Sequence, residues 1–323
     1  MNSVVLLIVA ALILMPFPLT FSTTFAQIPN STGYSFVTKW GSSGSGFGSF
    51  SQPLDIATDS AGNVYVTDFT ALANQVQKFA PDGSFLLSWG FLGTGPSAFA
   101  NPLSITVDSN DTVYVTDWGN SDQAVQKFSS EGAFLGSWGS TGLGEAQFIN
   151  PSGIAVDRQG FVYVGDFGEN NNIQKFDSDG NFILSWGSPG SNDGQFMNPS
   201  DIAIDSQGSV YVVDGGNNRV QKFDSSGNFL GKWGTTGSGE GQFSSPSGIA
   251  IDSSDNIFVV DRANDRVQVF DSSGNFATTW GSRGSADGQF NNPLGVAIGI
   301  DGRVYVTDEG NARIQVFSRA GPG

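Results

Sequence analysis

The amino-acid sequence predicts an all-β chain folded as a six-bladed β-propeller, with an N-terminal strand completing the last blade. Three observations carry that expectation. Trp-Gly pairs recur at Trp40, Trp89, Trp138, Trp186, Trp233 and Trp280, a spacing of 47 to 49 residues. Pro53, Pro102, Pro151, Pro199, Pro246 and Pro293 keep the same steps. Self-similarity at this period, with strand-like content and no helical pattern, marks a radial array of small sheets. The third observation is a mismatch at the ends. The last unit stops after its third strand, at Ile314 to Phe317, while the repetition begins with an unaccompanied "YSFVTKWG", Tyr34 to Gly41. Together these fragments make one more blade, and their pairing would close the ring and remove an open sheet edge.

Each unit reads as four short strands. In the fourth, Ile202 to Ile204 is strand a, Val210 to Val213 strand b, Val220 to Phe223 strand c and Phe229 to Trp233 strand d. Between them, Asp205-Ser206-Gln207-Gly208 and Asp224-Ser225-Ser226-Gly227 read as hairpin turns, since Asp closes local hydrogen bonds and Gly supplies positive φ. The organisation expected is an export signal over residues 1–26, a short lead over 27–33, the propeller over 34–318 and a tail over 319–323.

The export reading rests on the apolar run Val4 to Met15, followed by Thr24-Phe25-Ala26, whose small residues suit cleavage after Ala26. No Lys or Arg precedes the run, and an uncleaved anchor is the alternative, the only route to a membrane. Either way the chain is expected to be secreted or displayed at the cell surface. Asn30-Ser31-Thr32 and Asn110-Asp111-Thr112 are glycosylation sequons.

Composition removes much chemistry. The chain has no Cys and no His, so it has no disulfide, thiol nucleophile, imidazole base or thiolate or imidazole zinc site. Its net charge is −16, and the first charged side chain is Lys39, so the folded part is acidic. Nucleic acid, which needs a basic footprint, is not an expected partner.

The repeated pattern is Pro-x-Gly-Ile-Ala-Val-Asp, Val-Tyr-Val-x-Asp, Asn-x-Arg-Val-Gln-x-Phe and Trp-Gly-x-x-Gly, seen well at Pro246 to Asp252 and Asn217 to Gln221. It resembles the NHL-repeat family of six-bladed β-propellers over about residues 34 to 318. The family's usual His between Asn and Arg is replaced by Asn218, Asp265 and Ala312. The resemblance implies three functional classes. Ubiquitin ligases of the tripartite-motif type carry zinc modules that this sequence lacks. Related peptide-amidating and streptogramin lyases rely on histidine. Gluconolactonase-like propellers hold a central Ca²⁺ on carboxylate and amide oxygens, which leaves a calcium-dependent hydrolase or lactonase at the channel as the alternative to a non-catalytic binding or scaffold module. The binding module, recognising a protein or a glycan through a loop face and needing no cofactor, is the reading preferred.

Residues that repeat six times describe the scaffold. The six tryptophans are expected to pack between blades, and Asp68, Asp117, Asp166, Asp214, Asp261 and Asp308 to accept backbone N–H bonds in the b-to-c loops. A site must break the symmetry, and two departures do so. At the third position of the Pro-x-Gly motif stand Asp55, Ser104, Gly153, Asp201, Gly248 and Gly295. This puts Asp55 and Asp201 opposite each other at the channel mouth, either as a cation site or as solvated rim groups. The b-to-c loops are longer in blades 1 to 3, where Phe69, Trp118 and Phe167 follow the Asp. Blades 4 to 6 carry Gly215, Arg262 and Glu309 there, and Arg219, Arg266 and Arg313 where the first three have Gln75, Ala124 and Asn172. The face is thereby divided into an aromatic half and an arginine-bearing half, the three arginines being either surface groups or, since the family pattern itself contains this Arg, part of the scaffold. Phe69, Trp118, Phe167 and Arg262 are the candidate ligand contacts, the rings either forming an exposed crescent or folding back on neighbouring blades.

Overall fold

A computed structural model describes residues 33–69 and 74–320. The expected export signal and nearly all of the lead lie outside the described residues. Six four-stranded antiparallel sheets succeed one another around the ring, each in the order a, b, c, d. Blade 1 is Pro53–Thr58, Val64–Asp68, Gln75–Phe79 and Phe85–Trp89; blade 4 is Pro199–Ile204, Val210–Asp214, Arg219–Phe223 and Phe229–Trp233. Blade 6 takes Pro293–Ile298, Val304–Asp308 and Arg313–Arg319 from the end of the sequence, and its strand d is Tyr34–Trp40. The pairing runs from Tyr34 opposite Arg319 to Trp40 opposite Ile314, with one bulge between Phe36 and Thr38. Strand c of this blade begins one residue before and ends two residues after the Ile314 to Phe317 read from the sequence.

Burial explains why the strands look different in sequence. Strand b, Val-Tyr-Val-Thr-Asp in blades 1, 2 and 6, is buried along its whole length because another blade covers each of its faces. It reads as a run of apolar residues without period-2 alternation. Strand d is outermost and alternates between partly buried and exposed residues in blades 2 to 4 and 6. The core therefore lies in the seams: Tyr65 and Val76 of blade 1, for instance, cluster with Phe99, Ile105, Val115 and Phe128 of the next unit.

The tryptophans close those seams as expected. Trp40 packs on Phe79 of blade 1 at 5.9 Å between ring centroids and on Tyr305 of its own blade at 6.1 Å. The indole N–H groups of all six find no protein acceptor, so packing alone holds the rings. That packing dictates the glycine of the c-to-d turn. A Cβ on Gly83, at φ +88°, would lie 2.8 Å from the Trp40 ring. Positive φ and the close approach both demand glycine there.

Candidate functional site

The repeated aspartate after strand b is fully buried in all six blades. Among the described residues its backbone donors are not in the b-to-c loop, contrary to the sequence expectation. They come from the d-to-a segment just ahead of strand a: Ser51 and Gln52 N–H donate to Asp68 Oδ1 at 2.9 Å each, and Met197 N–H donates to Asp214 Oδ1 at 2.7 Å. The loop supplies side chains instead, such as Asn217 Nδ2, which donates to Asp214. The aspartates thus bolt the two loop sets together and place both on one face, here called the loop face.

What neutralises the buried carboxylate divides the ring in two. In blades 4 to 6, Arg219, Arg266 and Arg313 pair through Nε with Asp214, Asp261 and Asp308, each at 2.7 Å. These arginines are buried or nearly so and also donate to d-to-a carbonyls, as Arg313 does to Ser285, Ala286 and Gln289. They belong to the scaffold, which corrects the picture of an arginine-bearing half. The shorter loops of these blades hold single 3-10 turns that end in left-handed residues, Asn218 at φ 53°, Asp265 at 51° and Ala312 at 51°. Asn218 and Asp265 accept the N–H of Ser245 and Asn292 in the next unit. A residue that tolerates the left-handed region and reaches the following blade is what this position needs, and Asn and Asp supply both.

In blades 1 to 3 Gln75, Ala124 and Asn172 stand in place of those arginines, and burial pushes Asp68, Asp117 and Asp166 above the ordinary carboxylate range despite their hydrogen bonds. A carboxylate whose pKa is higher folded than unfolded opposes folding once ionised. The penalty is absent below the unfolded pKa, near 4, and develops as pH rises through the folded value. The thermal midpoint is therefore expected to be higher at pH 5 than at pH 7. Asn172 pairs with Asp166 as Arg219 does with Asp214. Asn172→Arg is expected to raise stability at pH 7 by about 1 to 3 kcal/mol and to narrow the gap between the two pH values. Midpoints by circular dichroism check it; an unchanged gap would mean that the guanidinium does not reach Asp166.

On the loop face the structure joins two of the four predicted ligand contacts directly. Trp118 and Phe167 lie with ring centroids 6.1 Å apart, tilted by 55°. Trp118 is 43% exposed, and its Nε1 donates to Asn150 Oδ1 of the next blade at 2.6 Å. Phe69 is partly buried and makes no ring contact with either among the described residues. Arg262, exposed, donates from Nε to Asn292 Oδ1 at 2.6 Å, the same link between successive blades that Trp118 makes. Phe167 and Arg262 share a cavity at the axis. Sequence reasoning missed the d-to-a loops, where Phe91, Leu92, Leu143 and Met197 are exposed. A signal was present: Phe91-Leu92 stands where the other units carry Ser42-Ser43, Ser140-Thr141, Ser188-Pro189, Thr235-Thr236 and Ser282-Arg283. Exposed apolar side chains thus gather on the d-to-a and b-to-c loops of the first three blades.

Asp55 and Asp201 sit deeper than the mouth. They are shared by two cavities along the axis, one of about 310 Å³ reaching the loop face and one of about 270 Å³ lined by the rest of the six strands a. Each carboxylate latches its own blade to the next. Asp55 Oδ1 accepts Ile56 N–H, and its Oδ2 accepts Ser104 Oγ at 2.6 Å and Ile105 N–H at 2.9 Å. Asp201 Oδ1 accepts Ile202 N–H and Oδ2 accepts Ile249 N–H, both at 2.8 Å. Asp201 is only 9% exposed, so a solvated rim group is the wrong description. Burial, and then the charge of Asp55, hold its carboxyl well above the ordinary range; burial raises Asp55 as well. The donor set does not fit Ca²⁺, which takes six to eight oxygens. Every oxygen of the pair already faces an N–H or O–H donor, and no group of three or more acidic side chains able to hold a metal occurs among the described residues.

Comparison with known proteins places the fold. The family model described as NHL repeat matches residues 99–128, 148–176, 196–223, 243–270 and 290–317. A search of the curated proteins found no match. Among solved structures, the chain is similar to a virginiamycin B lyase from Staphylococcus aureus in a catalytically inactive His-to-Ala form (17% identity, 83% of this chain and 84% of that one, TM-score 0.57). It is also similar to a gluconolactonase from Xanthomonas campestris (14%, 85% and 88%, 0.61). A third likeness is to an auxiliary nutrient binding protein from Bacteroides thetaiotaomicron (13%, 83% and 69%, 0.62). At these identities the likeness is one of fold.

Proposed function

Since the chain belongs to the NHL-repeat family of β-propellers, a fold that carries unrelated activities, we propose that it is an exported, non-catalytic binding module whose loop face recognises a protein or a glycan. The observation that carries this reading is the gathering of exposed apolar side chains on blades 1 to 3, with Phe91 59%, Leu143 60% and Trp118 43% exposed. Loop-face aromatics with one apolar side and one anchored polar end suit stacking and hydrogen bonding to a partner. The similar nutrient binding protein is one precedent for binding on this scaffold. Catalysis like that of the lyase is disfavoured here, because that protein is inactive when one histidine becomes alanine and this chain has no histidine.

Trp118→Ala tests the reading. Its ring packs on Phe167 and holds Asn150, but it lies outside the buried seams, so the thermal midpoint is expected to stay nearly unchanged. Binding, measured on an oligosaccharide array or to captured extracellular proteins, is expected to weaken by on the order of 1 kcal/mol or more. A lower midpoint with binding unaffected would make the ring part of the scaffold. Lactone hydrolysis that disappears in Asp55→Asn and Asp201→Asn would replace the binding reading with the hydrolytic one.

A further inference from the structure

The loop-face cavity of the axial channel has features that recognition at the outer rim does not use. Its walls are largely apolar, from Leu54, Leu103, Leu294, Pro199 and Phe167, and about 310 Å³ is room for a small molecule. Of the described residues lining it, three carry charge: Asp55, Asp201 and Arg262. Arg262 is exposed and engaged with Asn292, whereas the two carboxylates are shared with the second cavity and so mark the inner end.

The surroundings of the pair are shaped to fit it. Of the six residues at this level, Gly153 and Gly295 stand in the blades just before Asp201 and Asp55. A Cβ on Gly153 would lie 2.3 Å from Asp201 Cα and 2.8 Å from its Oδ1, and one on Gly295 would lie 2.6 Å from Asp55 Oδ1 and 2.8 Å from its Cα. Any larger residue would push both the neighbouring strand and its carboxylate out of place. What they offer can be counted. A carboxylate accepts about four hydrogen bonds. Asp55 receives three and Asp201 two from the protein, leaving roughly one acceptor site on the first and two on the second. That is too few for a calcium shell and matches the three N–H donors of an ammonium group.

From this juxtaposition of apolar walls and an inner carboxylate pair cleared by two glycines, we propose that the axial cavity binds a primary ammonium on an aliphatic stem, the charge on Asp55 and Asp201 and the stem along Leu54, Leu103 and Leu294. The ligand is either a free amine or the lysine side chain of a partner, which share this chemistry. The cavity shares Phe167 and Arg262 with the loop-face reading but does not include Trp118, so amine binding and the effect of Trp118→Ala on partner binding are read separately.

Calorimetry on the full-length protein at pH 7, where an alkylamine is protonated, provides the test, with hexylamine, hexan-1-ol and hexanoate as probes. Hexylamine is expected to bind with about tenfold or greater preference over the alcohol, and hexanoate not to bind. Asp201→Asn and Asp55→Asn are each expected to weaken hexylamine by about tenfold or more, while Trp118→Ala leaves it unchanged. Because the aspartates also latch blades, Leu103→Trp, which fills the cavity without touching them, is expected to abolish binding in a protein with the wild-type midpoint. Binding of a blocked lysine peptide as well as hexylamine assigns the site to side chains too; hexylamine alone assigns it to free amines. Equal binding of hexan-1-ol and hexylamine, or hexylamine affinity retained in a folded double Asn variant or in Leu103→Trp, overturns the proposal. So does the absence of hexylamine binding at millimolar concentration.

Discussion

A protein lacking Tyr34 to Gly41 is expected to be insoluble or to unfold far below the intact domain. The segment pairs with strand c of blade 6 along its length, and its removal leaves Arg313–Arg319 as an unpaired edge. It also carries three rings that pack across the closure. Tyr34 stacks on Trp280 of blade 5 at 4.4 Å, Phe36 meets Phe317 edge-on at 6.2 Å, and Trp40 covers Phe79 of blade 1. Three fully covered rings at roughly 150 Å² each would be worth about 11 kcal/mol at about 25 cal/mol per Å², and these three are partly buried, so their loss amounts to several kcal/mol. Domain stabilities are about 5 to 15 kcal/mol, so one segment accounts for a large share of the margin. Thermal scans and light scattering of the truncation provide the measurement. A soluble protein melting with the intact domain would show that the ring does not need its closing strand.

Arg313→Met should be the most damaging single substitution outside the seams. Its guanidinium makes four contacts, one to Asp308 and three to carbonyls of the d-to-a loop, and both partners of the ion pair are buried. Removing the cation leaves a buried carboxylate, at a cost of about 3 to 5 kcal/mol. The lower end is expected, because Asn291 N–H, Asn311 Nδ2 and Gln315 Nε2 continue to serve Asp308. Blades 1 to 3 display the same condition natively: without an arginine the carboxyl drifts above its ordinary range. The double variant Arg313→Met, Asp308→Asn, which also removes the stranded charge, should therefore be less unstable than Arg313→Met alone. Urea titrations of the two variants decide; equal losses would mean that the unpaired carboxylate is not what destabilises Arg313→Met.

The scaffold was legible because it is written six times. The Trp-Gly pairs, the buried Val-Tyr-Val strands and the split blade need only spacing and apolar content to be read. Depth and distant partners were harder to read. Asp55 is the third residue of its strand, and at about 3.3 Å per residue it lies roughly 7 Å inside the entrance, which converts a rim group into a partly buried latch. Asp68 and its equivalents were expected to cap their own loop, but their donors come from the segment before strand a, brought alongside by the a–b pairing. For the arginines the sequence left surface and scaffold both open, and their burial against the strand-b aspartates decides for the scaffold. Of the aromatic candidates, Trp118 and Phe167 meet, whereas the exposed Phe91 and Leu92 became visible only when the d-to-a loops were seen to share that face.

The pairing of Tyr34 with Arg319 also has a kinetic side. Contacts between segments so far apart are entropically slow to form, and here the first strand to be made waits for the last. Until then blade 6 has three strands, and Phe36 and Trp40 have no stable place to rest. Moving the segment 34–41 to a position after residue 319 would turn this contact into a hairpin between neighbours. Such a permuted chain should reach the same native ring with a faster final refolding phase, while its equilibrium stability stays close to that of the natural order.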